Sequence, residues 1–291
     1  MVKFLRALIP SLRMRDSTTA PSTLAELQAA AHLQALRDEE IGVRHRIERF
    51  YLPLFLRHAA ARGKSPGTML VLDCGCGNGA SAEYLAAAGF QAYGIDIAGF
   101  RIEQWSQREK RNRVHLLAAD ATVLPFADDS FDIVLSCGML EHIGVHEVCT
   151  PEYHVQPLSN QATLRSQFLA ECLRILKSDG VVFLDHPNGS FPIDFWHNDY
   201  RALPRFHSPR EKFLPTFREV VQLAQRVNAE CRITAISPAG RFTFRRSKRR
   251  WYGKLFSTTL EKYFEVLRYR PFSSLAATAL NPYLVIQITR S

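Results

Sequence analysis

The chain has 291 residues, 46% of them hydrophobic and 22% charged, an ordinarily globular composition with material for a sizeable core. Lys and Arg total 37 against 28 Asp and Glu, and the formal charge of +9 favours anionic partners (nucleic acid, acidic glycans or lipid headgroups) without choosing among them. Six cysteines show neither zinc-ribbon spacing nor a disulfide framework, no run of about eighteen uncharged apolar residues exists, and Lys3 and Arg6 interrupt the first apolar run too early for a secretory signal, so a reducing, cytoplasmic setting is expected.

Residues 1–22, with Pro10, Pro21 and a Ser-Thr-Thr cluster, read as a basic, poorly ordered lead, and residues 23–291 as one domain. Thr23 to Arg37 and Glu39 to Arg62 read as helices, the second from Ile47, Phe50, Tyr51, Leu54 and Phe55 at three-and-four spacing. Packing beside the first strand is the favoured use of this 23–62 extension, with a lid over a ligand pocket as the alternative.

Met69 to Asp73 is a short apolar run ending in an acid, as expected of a strand covered on both faces. Gly75, Gly77 and Gly79 follow, and then an alanine-rich helix from Ala80 to Ala88, so the glycines lie where nucleotide-like ligands meet open α/β sheets. Gln91 to Asp96 is a second strand ending in an acid about twenty residues on, the spacing at which a carboxylate reaches ribose hydroxyls. Gly-x-Gly-x-Gly is not the dinucleotide fingerprint, and no basic side chain lies near the loop to balance a pyrophosphate, so a phosphate-free adenosyl ligand fits better. Further strands are expected at Arg113 to Leu117, Phe131 to Ser136, Val181 to His186, Cys231 to Ser237 and Tyr283 to Thr289, alternating with helices as a parallel sheet demands.

Three motifs together, Val71-Leu72-Asp73-Cys74-Gly75-Cys76-Gly77-Asn78-Gly79, Gly94-Ile95-Asp96 and Asp120-Ala121-Thr122-Val123-Leu124-Pro125-Phe126, resemble those of class I methyltransferases that use S-adenosylmethionine. Asp129 to Val134, Leu140-Glu141-His142-Ile143 and Phe168 to Asp185 continue the resemblance, which covers residues 66–188; Ser178-Asp179-Gly180 replaces the usual Lys-Pro-Gly turn. The resemblance implies an α/β, Rossmann-like, doubly wound, seven-stranded, mostly parallel sheet whose last strand is antiparallel and inserted between the fifth and sixth. It implies that Asp73 and the backbone of Gly75, Gly77 and Gly79 bind the methionine end of S-adenosylmethionine, that Asp96, with Ile97 beside it, takes the ribose, that Asp120 and Ala121 meet the adenine, and that Cys137 and Gly138 line the methionine portion. For Asp120 the bland alternative is a loop acid capping the next turn.

Methyl transfer is an in-line displacement in which alignment supplies much of the rate, roughly 7 to 11 kcal/mol at best, and only a hydroxyl acceptor needs a proton acceptor within reach. Candidate bases are His142, His146, Asp185, His186, His197 and Asp199, with His142, His186 and His197 taken as the catalytic set. On a helix His142 and His146 would share a face and suggest a metal with Glu141 or Glu147; because Leu-Glu-His-Ile resembles family members that use none, no metal is assigned. A histidine that merely buttresses the cofactor loop is the alternative for His142.

The loop 187–215 is rich in Pro, aromatic and hydrogen-bonding residues. Phe191, Phe195, Trp196 and Tyr200 either stack on an acceptor or pin the loop to the core, and Asp194, His197, Asn198 and Asp199 are candidates for binding hydroxyls. Residues 240–282 combine Arg241, Arg245, Arg246, Lys248, Arg249 and Arg250 with apolar residues at helical spacing, read as a helix packed on the protein or lying, through 241–267, against an anionic membrane at the inner face. Nucleic acid is disfavoured for want of a recognised appendage, and no obligate protein partner is readable. The expected function is methyl transfer to a hydroxyl of a small molecule or glycoconjugate, a cell-envelope sugar or lipid-linked acceptor. Alternatives are a quinone or phospholipid precursor, or a non-catalytic cofactor-binding subunit.

Overall fold

The computed structural model describes residues 34, 37–106, 108, 114–148, 153–197, 205–244 and 251–290. The chain divides into two units, Met1–Glu39 and Glu40–Ser291. In the first, residues 37–39 are helical. The proposed lead and most of the first helix lie outside the described residues, as do Cys149, Asn198, Asp199, Tyr200 and the basic run 245–250.

In the second unit, helical residues 40–45 continue as a π-helical stretch, Arg46–Tyr51, and then as α1 (Leu52–Ala60), with Pro53 just past the junction, where its missing N–H interrupts the ladder of the continuous helix. The sheet is built from β1 (Leu70–Cys74), β2 (Gln91–Asp96), β3 (His115–Ala118), β4 (Phe131–Cys137), β7 (Leu176–Pro187), β10 (Arg232–Ile236) and β11 (Tyr283–Thr289). Its order is β10-β11-β7-β4-β1-β2-β3, with β1 to β4 and β7 parallel and β11 antiparallel to both neighbours. This is the expected sheet, including the inserted antiparallel last strand. The chain winds outward from β1 through β2 and β3, then returns to β4 on the other side. The crevice therefore opens at the carboxyl ends of β1 and β4.

Alternation along the buried strands sends side chains to two cores. Val71, Ile133, Val181 and Phe183 join Tyr51, Phe55 and Phe264 on one face; Leu72, Val134, Val182 and Leu184 join Phe168, Leu173 and Val220 on the other. The same alternation places Asp73 and Asp185 on the face of the N-terminal helix and His186 on the opposite face. The second face is covered by α4 (Gln161–Arg174) and α5 (Phe217–Val227), which lie beyond α2 (Ala80–Ala87) and the single turn α3 (Gly99–Ile102). Thr216 and Glu219 close a reciprocal capping box at the start of α5, satisfying two amides that would otherwise lack partners.

Two small hairpins were not anticipated: β5 (Val145–Val148) with β6 (His154–Pro157), and β8 (Ile193–Asp194) with β9 (Arg205–Phe206). The insertion does form a helix, α6 (Trp251–Val266). Ser257, Leu260, Phe264 and the following Leu267 are buried, so this stripe packs on the protein, while Leu255 and Phe256 remain 66% and 43% exposed. No helix among the described residues is long and apolar enough to cross a membrane.

At the opposite end of the sheet, Asp132 is buried and accepts from Lys64 at 2.8 Å, Lys177 at 2.7 Å and the Leu70 amide at 3.0 Å. Burial raises its pKa, but the two ammonium groups and the amide outweigh that and hold it below the ordinary carboxylate value. Its folded pKa being the lower one, the stabilisation is present above the unfolded value near 4 and is lost as pH falls through the folded value. Asp132→Ala should lower the unfolding free energy by about 1 to 3 kcal/mol, the lysines being partly exposed, and flatten the acid limb of stability measured by denaturant titration from pH 7 to 3.

Candidate active site

The glycine turn after β1 is tied to β2. The amides of Gly75 and Cys76 donate to Ile95 O at 2.9 and 2.8 Å, and Gly77 N donates to Asp96 Oδ2 at 2.8 Å. Asp96 Oδ1 accepts from Ala98 N at 2.8 Å, so one carboxylate fixes both the turn and the start of the next segment. Trp105 Nε1 pins the turn from outside by donating to Gly77 O at 2.9 Å. Gly77 has φ 56°, which L side chains avoid, and a Cβ there would meet nothing within 4 Å, so its outer side is open to a ligand.

Asp73 is buried and accepts from the Ser81 hydroxyl. Burial pushes its pKa up to about 6, against the opposing pull of Ser81 and the nearby Arg46 guanidinium. Arg46 Nε is itself enclosed without a partner among the described residues. Asp120, by contrast, is exposed, and its Oδ1 accepts from both the amide and the hydroxyl of Thr122 at 2.8 Å, so the turn-capping role is present. Ile97 and Val123, each just past one of these acids, are 71% and 72% exposed.

Asp185 is not free to act as a base. Arg241 grips it with two bonds of 2.7 and 2.6 Å, Tyr283 donates at 2.7 Å, and Tyr51 also donates. Burial alone would raise its pKa; the Arg241 guanidinium reverses this and holds it at about 2. Every lone pair is committed to structure. His186, on the other face, is fully buried with Nδ1 2.9 Å from Pro187 O, and burial lowers its pKa.

Past β4, the turn Leu140–His142 leads into β5, so His142 and His146 do not share a helix. His146 is exposed and alternates with Glu147, which turns inward to accept from His142 Nδ1 and the Tyr153 hydroxyl. Burial would lower the pKa of His142, but the hydrogen bond to Glu147 outweighs it and raises it. The partner of His142 is instead His197: the rings are 5.1 Å apart, edge to face, and both pack on Phe213. His197 Nδ1 lies 3.0 Å from Asp194 Oδ2, and its Nε2 lies 3.8 Å from Glu141 Oε1. Buried Arg165 supports this corner from α4, donating to Glu141 O at 3.0 Å and Phe213 O at 2.6 Å. The loop aromatics take the pinning role: Trp196 packs on Tyr283 and Phe242 at 4.6 and 5.5 Å, and Phe195 on Phe256 at 4.8 Å.

Residues 72–184, which contain the glycine turn, both strand-end acids and Glu141-His142, match the family described as a methyltransferase domain. Over these residues the chain resembles a class I methyltransferase domain. Its cofactor is S-adenosylmethionine. Over 123 residues the chain is 31% identical to a ubiquinone biosynthesis O-methyltransferase of Rickettsia akari, covering 42% of this chain and 49% of that protein. Over 148 residues it is 33% identical to a demethylmenaquinone methyltransferase of Renibacterium salmoninarum, covering 50% and 53%. The chain thus spans about half the length of the curated relatives it matches. A crystal structure of a TehB-like SAM-dependent methyltransferase from Corynebacterium glutamicum superposes with a TM-score of 0.46 at 15% identity, over 83% of this chain and 97% of that one.

The methyltransferase domain ends one residue before Asp185, so Asp194, His197 and Arg241 belong to the segments appended to it. Sequence reading missed Tyr51, Arg241 and Tyr283 as partners of Asp185, and Asp194 as the partner of His197. Of these only Asp194 and His197 carried a signal, their three-residue spacing in a polar loop. Asp185→Ala should cost about 3 to 5 kcal/mol of stability, because Arg241 is left as an unpaired buried charge, whereas loss of a mere base would leave the thermal midpoint unchanged. Calorimetric unfolding of the variant separates the two.

Proposed function

We propose that the protein is an S-adenosylmethionine-dependent methyltransferase acting on a hydroxyl of a lipid-linked acceptor. The observation that carries the oxygen acceptor is the pair of histidines, His142 and His197, each backed by a carboxylate at the mouth of the crevice. Such pairs suit an acceptor whose proton must leave; a carboxylate acceptor would not need them.

The residues present fit the cofactor. Open space over Gly77 accommodates a close backbone approach, and Asp96, already fixed by two amides, retains lone pairs for the ribose hydroxyls. Ile97 and Val123 offer exposed apolar surface that a flat adenine would cover, with Asp120 and Ala121 at its edge. Asp73 faces the helix side with Arg46 near it, so an ammonium and a carboxylate of the methionine end each find an opposite charge. Cys137 ends β4 beside this position. When bound, the cofactor supplies a methyl carbon already activated by a sulfonium. The acceptor proton would pass toward the histidine pairs, His142 backed by Glu147 and His197 by Asp194. No acceptor contact is assigned to His186, which is enclosed.

Two features support a lipid-linked acceptor over a free sugar. Trp196 and Phe195 are occupied by packing and are not available to stack on a sugar face. Leu255, Phe256, Tyr269 and Phe272 stay exposed after α6 has packed, and the sequence places Arg245, Arg246, Lys248, Arg249 and Arg250 directly before that helix. A basic run beside apolar side chains suits an anionic membrane surface, each cation adding about 1 kcal/mol. Relatives named for ubiquinone biosynthesis and demethylmenaquinone accord with this acceptor class.

Incubating a cell extract with methyl-labelled cofactor should put alkali-stable label in the lipid fraction, and the protein should pellet with anionic vesicles at low salt and be released at high salt. Label confined to protein, RNA or free glycan would replace the acceptor reading, and failure to bind the cofactor by calorimetry would remove the enzyme reading. A cationic ligand favours the ionised form of Asp73, so affinity for S-adenosylmethionine should be flat above pH 6 and fall roughly tenfold per unit below it as that carboxylate protonates. Asp73→Asn should weaken binding and abolish this slope.

A further inference from the structure

Glu141, His142 and His197 each offer a ligand atom within 4.8 Å of those of the other two. We propose that these three residues bind a divalent cation of the zinc, manganese or iron(II) kind. Two imidazoles and one carboxylate form a face that leaves the remaining positions of the ion open, a set such cations accept at about 2.0 to 2.2 Å. Ligand atoms around one ion at those distances lie about 3 to 3.5 Å apart, so closing the site needs movements of about 1 Å. The Glu141 Oε1 to His197 Nε2 separation of 3.8 Å is near that range already.

Two further observations point to an ion. Glu141 is 1% exposed, and its Oε2 is enclosed without a hydrogen-bond partner among the described residues; the buried guanidinium beside it, Arg165, binds the Glu141 backbone carbonyl instead. A buried carboxylate oxygen left unpaired is costly, and a cation held by both oxygens of Glu141 would satisfy it. In addition, a carboxylate stands behind each histidine: Asp194 holds Nδ1 of His197 at 3.0 Å, and Glu147 holds Nδ1 of His142. Carboxylate–histidine pairs of this kind orient ligating rings and raise their basicity. From sequence, His142 with His146 suggested a metal and the resemblance of Leu-Glu-His-Ile to family members that use none set it aside; the fold replaces His146 by His197, which comes from a loop fifty-five residues later.

The site follows Cys137, the last residue of β4, by four residues, at the mouth of the crevice. On the methyl-transfer reading, on which this last step rests, the open positions of the cation would take the acceptor oxygen. Coordination would lower the pKa of the hydroxyl, whose proton would pass to solvent while the histidines serve as ligands.

The test is titration of the full chain, stripped by chelator, with Co(II) followed optically and with Mn(II) by calorimetry. One cation per chain is expected. Asp194→Asn should weaken it tenfold to a hundredfold, and His197→Ala and Glu141→Gln should abolish it while S-adenosylmethionine still binds. Should Glu141→Gln fail to fold, His142→Ala and His197→Ala decide the matter. Absence of stoichiometric binding overturns the proposal, and so does binding that survives both histidine variants. A bound cation with methyl transfer unaltered by chelation would overturn only its role at the acceptor. Failure of the unmodified protein to bind cofactor would remove the methyl-transfer reading and leave the metal titration standing.

Discussion

Burying a carboxylate costs several kcal/mol after relaxation, and Asp185 repays that only because Arg241, Tyr51 and Tyr283 together occupy its oxygens. Those partners come from three places, the stretch before α1, the start of the 240–282 insertion and the first residue of β11, and meet Asp185 near the end of β7. The carboxylate therefore sets how these elements meet. Its influence extends to the acceptor loop, since Arg241 and Trp196 both lie against the Tyr283 ring, and His197 follows Trp196 directly. Loss of the Asp185 junction would loosen the acceptor side before it touched the glycine turn.

The acids at the strand ends show how one residue type takes different roles through its surroundings. Asp96 accepts two backbone amides and so shapes the turn it faces. Asp73 has one hydroxyl and a nearby arginine, and burial pushes its pKa up to about 6. Asp120 lies in water and spends one oxygen on Thr122. Asp185, with a bidentate arginine, is locked in its charged form. Position at the end of a strand is common to Asp73, Asp96 and Asp185; the partners decide the chemistry.

Much of this was legible because local rules govern it. The strands were found within a few residues, since an apolar run between turn residues has few other uses, and the glycine turn with Asp96 was found because its residues and spacing resemble those of a known family. The resemblance supplied the inserted antiparallel strand, which no local rule predicts. The hairpins β5–β6 and β8–β9 escaped because strands of two to four residues carry too little period-two signal to stand out. The capping box Thr216–Glu219 was readable and passed over. Asp185 was misread as a base because its neutralising partner sits fifty-six residues away in an insertion whose helical spacing said nothing about Arg241. His142 and His146 looked paired on the assumption of a helix; the chain instead turns at Leu140–His142 and extends, which puts His146 on the far side of β5.

The same limit explains why the acceptor side is assembled as it is. Glu141 and His142 lie inside the methyltransferase domain, while Asp194 and His197 lie outside it, so the histidine pair exists only if a loop with two-residue strands is held as firmly as a sheet. Asp194 provides that firmness: it is wholly buried and accepts from Trp196 N at 2.9 Å, His197 N at 3.1 Å, His197 Nδ1 at 3.0 Å and Arg205 Nη2 at 3.3 Å. Arg205 in turn binds Glu211 and lies over the Tyr153 and Phe213 rings, which also flank His197. A polar network satisfied at this many points is rigid in a way that short strands are not. The glycine turn is thus held by backbone amides and the strand-end acid Asp96, while the His142–His197 corner is held by side chains on either side of Asp185. Changes in the 187–215 loop would therefore alter that corner without disturbing the turn.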